Sequence, residues 1–156
     1  MATKKEEQPQ LRQQDIEPKK ETNALLPPKK EFPKEELLKV FDELIFNGEY
    51  REDVTIKGKL KVTFRTRTTE ETMEVSKLLD GTDHKLLVTV QEQRAFHNLC
   101  KSLVTYQGRD VSNLKVEDKE KFIKKLPTSI ASALADALSE FDLKVDYACR
   151  EGEENF

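Results

Sequence analysis

Chemistry in this chain would have to begin from two histidines, two cysteines and a crowded set of lysines and arginines. His84 lies in the loop Gly81-Thr82-Asp83-His84-Lys85, and His97 borders the apolar stripe of a helix that also carries Cys100. Cys149 stands close to the end of the sequence. A metal site needs several such ligands converging, and an activated nucleophile needs a base within hydrogen-bond reach. None of these residues falls in a ligand spacing, and there is no Gly-x-Ser-x-Gly turn, no Gly-x-x-x-x-Gly-Lys loop and no other glycine-rich phosphate cradle. The expectation is a protein with no catalytic residue, no metal and no cofactor, in which Cys100, sharing its stripe with Phe96 and Leu103, is a small core side chain.

The cations are better organised. Val54, Ile56, Leu60, Val62 and Phe64 hold even positions, while Thr55, Lys57, Lys59, Lys61, Thr63, Arg65 and Arg67 hold odd ones. Alternation with period two is the mark of a half-buried strand. Gly58 interrupts the run, and a loop Lys57-Gly58-Lys59 pairs Ile56 with Leu60 and Val54 with Val62, so every apolar side chain stays on one face of a β-hairpin. The opposite face then carries the lysines and arginines. Such a face can meet phosphates or an acidic protein surface, or it can be a solvated face that discourages unwanted edge pairing. Phe64 points inward, so the aromatic platforms that stack bases are missing. With a formal net charge of -3, an acidic protein matches this face better than nucleic acid does.

Around the hairpin, helices supply the frame. Pro33, with Glu35 and Glu36 behind it, opens a helix through Leu37, Leu38, Phe41, Leu44 and Ile45 that stops at Asn47-Gly48. Thr68 and Glu71 have capping-box spacing and start a helix through Met73, Val75, Leu78 and Leu79. Ala95, Phe96, Leu99, Cys100, Leu103 and Val104 form the stripe of a longer helix before Gly108. In the connection from 109 to 116, Val111, Leu114 and Val116 are expected against the core, ahead of a short charged helix from Glu117 to Lys125. Pro127 opens the last helix, whose stripe runs through Ile130, Leu134, Ala137, Leu138, Phe141 and Val145. Ser129, Ala131, Ser132, Ala133, Ala135 and Ala137 make that helix rich in small residues, so a second face of it is suited to close packing on another helix or to an ordinary core.

At 156 residues the chain has room for one domain. Five of the six prolines fall in the first 33 residues, in a segment with seven basic and six acidic residues and few aliphatic ones. Such a composition buries too little apolar surface to offset its ordering entropy. The predicted organisation is therefore a disordered N-terminal arm (1–33), an α+β domain (34–149), mostly helical with one β-hairpin, and an acidic flexible tail (150–156). In the arm, Ala24-Leu25-Leu26-Pro27-Pro28 reads as a docking peptide or a solvated linker, and in the tail Phe156 offers a ring and a carboxylate. A mean hydropathy of -0.73 and the lack of a long apolar run predict neither a leader nor a membrane span, and two cysteines fit unpaired thiols in a reducing compartment.

The block from Asp53 to Glu71 resembles the hairpin-then-helix opening of small tail-assembly and baseplate-assembly proteins of tailed bacteriophages. The matching residues are Ile56, Gly58, Arg65, Thr68 and Glu71, and the likeness extends through Lys101-Ser102-Leu103-Val104 and Leu126-Pro127 to cover roughly residues 50 to 150. The Pro/Gln-rich arm departs from that group. The resemblance implies a non-enzymatic role in virion morphogenesis, as an assembly chaperone or small structural subunit, in the host cytoplasm or the virion. Its partner would be a larger phage protein such as the tail or baseplate hub. Leu25, Leu26, Lys61, Arg65, Arg67 and Phe156 are the expected contact residues. The competing expectation is a small regulatory nucleic-acid-binding protein that uses the basic hairpin face.

Overall fold

The computed structural model describes residues 32–81 and 87–154. Helix α1 (Lys34–Asn47) begins directly after Pro33, whose φ of -57° already suits a helix start, and ends where Gly48 adopts φ +71° and donates its N–H to the Leu44 carbonyl at 3.0 Å. Strands β1 (Arg51–Ile56) and β2 (Leu60–Arg65) form the hairpin in the expected register, Val54 opposite Val62 and Ile56 opposite Leu60. Two consecutive left-handed residues, Lys57 (φ +52°) and Gly58 (φ +70°), make the reversal, closed by the Lys59 N–H on the Ile56 carbonyl at 3.2 Å. Helix α2 (Thr69–Leu79) carries the full capping box. The Glu71 N–H donates to Thr68 Oγ1 at 3.2 Å, and the Thr68 N–H donates to Glu71 Oε1 at 3.0 Å.

Helix α3 (Leu87–Ser102) is shorter than its stripe suggests. Leu103 and Val104 are not helical; they open strand β3 (Leu103–Tyr106), which pairs antiparallel with β2. A second left-handed pair, Gln107 (φ +51°) and Gly108 (φ +78°), turns the chain into the two-residue β4 (Arg109–Asp110). The hairpin thus grows into a four-stranded antiparallel sheet, in the order β1-β2-β3-β4, with α2 and α3 inserted between β2 and β3. Leu103 and Val104 are both buried, so the strand opens with two core residues in succession and lacks the period-two signature.

Helices α4 (Val116–Lys124) and α5 (Thr128–Glu154) complete an α+β, mostly helical unit. At 27 residues, α5 is about 40 Å long. It packs on α1 and on the even-numbered face of the sheet. Phe141 is central: Phe64 lies 6.0 Å away, and Tyr50 stacks on it at 5.8 Å with an interplanar angle of 6°. Leu37, Val40, Leu99, Leu103, Val111, Ile123, Leu134, Leu138 and Ala148 fill the same core. A smaller cluster of Val75, Leu79 and Val90 joins α2 to α3. Four residues expected on inward faces are exposed: Ile45 because α1 turns the 37/40/41/44 stripe inward, Met73 and Leu78 because α2 turns Val75 and Leu79 inward, and Val116 because it sits in the first turn of α4.

Both predicted boundaries move. Phe32 packs its ring 5.8 Å from Tyr147, so the last residues assigned to the arm belong to the folded unit. At the other end α5 continues through Glu154 instead of stopping at residue 149. The reason lies in Gly152, which is buried beneath the Phe41 ring; a β-carbon there would come within 2.4 Å of Phe41 Cγ. The missing side chain lets α1 rest directly on the last turns of α5.

Candidate partner-binding surface

Of the six expected contact residues, Leu25, Leu26 and Phe156 lie outside the described residues, as does His84. Lys61 is exposed on the outer face of β2. Arg65 and Arg67 are engaged within the fold. Arg65 donates to both oxygens of Glu71, at 2.8 and 2.6 Å, in a forked pair. Its guanidinium holds the Glu71 carboxyl down to about 2, with help from the Thr68 amide, while its own pKa rises. Arg67 donates to Ser102 Oγ at 2.7 Å and to Asp142 Oδ2 at 2.8 Å, tying the β2–α2 junction to α3 and α5. Burial raises the Asp142 pKa despite that contact.

The face expected to be a basic ribbon is therefore mixed. Asp53 shares the odd-numbered face, where its Oδ1 accepts from Thr63 Oγ1 at 2.6 Å, and Thr105 Oγ1 donates to Thr63 Oγ1 at 2.8 Å. A shallow cleft of about 240 Å³ over this threonine ladder is lined by Asp53, Thr55, Lys61 and Thr105. Both signs of charge flank it, a poor match for a polyanion.

A larger groove runs along the edge of the sheet. β1 is the outermost strand, with no neighbouring strand on its other side among the described residues. Beside its last residues, Val54 to Ile56, and the turn residue Lys57 lies a space of about 410 Å³ whose far wall is the first half of α5. The small-residue face of α5 forms that wall: Ser129, Ser132, Ala133 and Ala137, with Asp136 and Glu140 at the rim. Two faces that sequence reading kept apart, the edge of a hairpin and the small face of a helix, are two sides of one groove. Their spacings were visible, but their adjacency is a tertiary fact.

Two buried lysines also escaped the sequence reading. Lys144 is paired with both Glu36 and Glu52, and the Tyr50 hydroxyl donates to the same Glu52 carboxylate at 3.1 Å. Burial alone would lower the Lys144 pKa, but the hydrogen bonds to Glu36 and Glu52 reverse this and raise it. Burial, then Glu52, pushes Tyr50 up to about 12. Lys119 is equally buried on α4. The available signal was spacing: Lys144 follows Phe141 by three positions, and Lys119 precedes Ile123 by four, so both fall on inward stripes.

Among the described residues no group of three His, Cys, Asp or Glu is placed to hold a metal ion, and no helix is long and apolar enough to cross a membrane. Burial pushes the Cys100 thiol up to about 12, far from a nucleophilic thiolate. No protein-family model, no curated protein and no solved structure matches this chain.

Proposed function

We propose that the chain is a non-enzymatic virion-morphogenesis protein of a tailed phage, which binds an extended segment of a larger tail or baseplate protein along the open edge of β1. The observation that carries this reading is the groove of about 410 Å³ beside that edge. A strand edge offers backbone N–H and C=O groups to any extended segment, and a groove alongside accepts the side chains that point towards it. Native sheets usually blunt or cover such an edge. Here the helix alongside presents serines and alanines, so backbone can approach closely and nothing bulky fills the space. The likeness of residues 53 to 71 to phage assembly proteins supplies the biological setting, in the host cytoplasm or the virion.

The basic-face alternative receives less support. Of the five cations it would use, Arg65 and Arg67 are committed to Glu71 and Asp142.

Ser132 is exposed on the groove wall, so Ser132→Arg fills the space without entering the core. Co-expression with the products of neighbouring genes, followed by gel filtration, should give a complex with the natural chain and none with this variant. A chain that elutes alone from every mixture would overturn the reading, and so would a variant that binds as well as the natural chain.

A further inference from the structure

A second pocket, of about 140 Å³, lies where the end of β2, the start of α2, the end of α3 and the face of α4 meet. Its lining is unbalanced in charge: Arg65, Lys101 and Lys119 against the single carboxylate of Glu71. Arg65 and Glu71 neutralise each other through their forked pair. Lys101 is matched from outside the pocket by Glu74 at 2.7 Å, itself half-exposed. Lys119 has no such match. It is 7% exposed, and among the described residues it forms no ion pair and no side-chain hydrogen bond.

An uncompensated buried ammonium is costly, and folded proteins either pair it or shift it towards the neutral form. The second response is visible here. Burial, and after it Arg65, pushes Lys119 down to about 8. No side-chain nitrogen or oxygen sealed from solvent among the described residues lacks a hydrogen bond, so the Lys119 ammonium, which has none, reaches solvent, and Lys119 lines this pocket. Any counter-charge for it beyond Glu71 comes from solution. We infer that this pocket binds a small free oxyanion of the phosphate or sulfate class, with Lys119 as its buried counter-ion, Lys101 at the mouth and the guanidinium of Arg65 along one wall. The volume suits such an ion with a few waters, each of about 30 Å³, and is too small for a nucleotide. Cys100 also lines the pocket, but its neutral thiol adds no charge.

The groups that set the field at Lys119 are Arg65 on β2, Glu71 on α2, Cys100 and Lys101 on α3, and Asp110 at the end of β4, whose carboxylate feels the Lys119 charge. Lys119 is placed to lose its charge at about pH 8. Sulfate keeps its charge across that range, so its affinity should fall towards tenfold per pH unit above about 8, following Lys119 alone.

The test is thermal unfolding of the full chain with added sodium phosphate, and separately sodium sulfate, against sodium chloride at equal ionic strength. Both oxyanions should raise Tm in proportion to the logarithm of concentration once binding saturates. Lys119→Met, which keeps the length of the side chain and removes its charge, should fold, raise Tm without oxyanion and abolish the response. Lys101→Gln should weaken binding several-fold and leave the pH profile centred where it was. An oxyanion response no larger than that of chloride would overturn the inference, as would a Lys119→Met protein that responds like the natural chain. If Lys119→Met fails to fold, a wild-type sulfate affinity that stays flat from about pH 7 to about pH 9 overturns it equally.

Discussion

Glu71 carries three jobs on one carboxylate: it closes the α2 capping box, neutralises Arg65 and fixes the junction after β2. Its pKa in the folded chain is about 2, below the ordinary 4.5, so the stability it contributes is complete above about pH 4.5 and is lost as the pH falls towards about 2. The pair is partly solvated, and after screening the loss should be about 1 to 2 kcal/mol. Glu71→Gln should show that lower stability already at neutral pH and a flatter acid limb in urea titrations from about pH 5 to about pH 2.5. Lys144→Met tests the other buried network. Removing the ammonium leaves Glu36 and Glu52 facing each other, and denaturant unfolding should report about 2 kcal/mol of destabilisation, partly restored by adding Glu52→Gln. Residue parity made the direction of the hairpin side chains legible, but it could not show what stands opposite them. Arg65 and Arg67 follow the alternation, yet the carboxylates that take their charge come from α2 and from α5, the latter 75 residues further on.

At the scale of elements, the hairpin register was readable because Gly58 and strict alternation leave one solution that keeps every apolar residue on the same face. The starts of α1 and α2 were readable because Pro33 and the Thr68/Glu71 box act locally. β3 was not, since consecutive burial at Leu103 and Val104 looks like the end of a helical stripe. Lys57 holds a left-handed conformation that costs a side-chain-bearing residue about 1 kcal/mol, and an Asn-Gly pair prefers this turn. Lys57→Asn should therefore raise Tm by a few degrees in a thermal melt. Gly152 makes the opposite case. Elsewhere in a helix Gly→Ala would gain about 1 kcal/mol, but here the new methyl group meets the Phe41 ring, so Gly152→Ala should destabilise by about 1 to 3 kcal/mol. Pairing it with Phe41→Leu should recover part of the loss.

For the molecule as a whole, α1, the sheet, α4 and the long α5 share one core, so its interior should open as a unit. Cys100 reports on that opening: it is buried in the core with its thiol pushed up to about 12. Its modification by a thiol reagent at mild pH should track global unfolding, with rates that fall as the denaturant midpoint rises. Reaction as fast as that of a small-molecule thiol would contradict the packing around it.

The two edges of the sheet are unequal. β1 offers six residues beside an open groove, whereas β4 offers two and is followed at once by a turn held by Asp110, which accepts from the Ser112 amide at 2.8 Å. An open-ended filament requires a donor edge and an acceptor edge on every copy. With one usable edge among the described residues, growth halts after a single addition, either one foreign strand or one symmetry-related copy. Among the described residues the sheet can thus be ended by one added strand but not propagated, and under the proposed function a partner strand would be capped one-to-one.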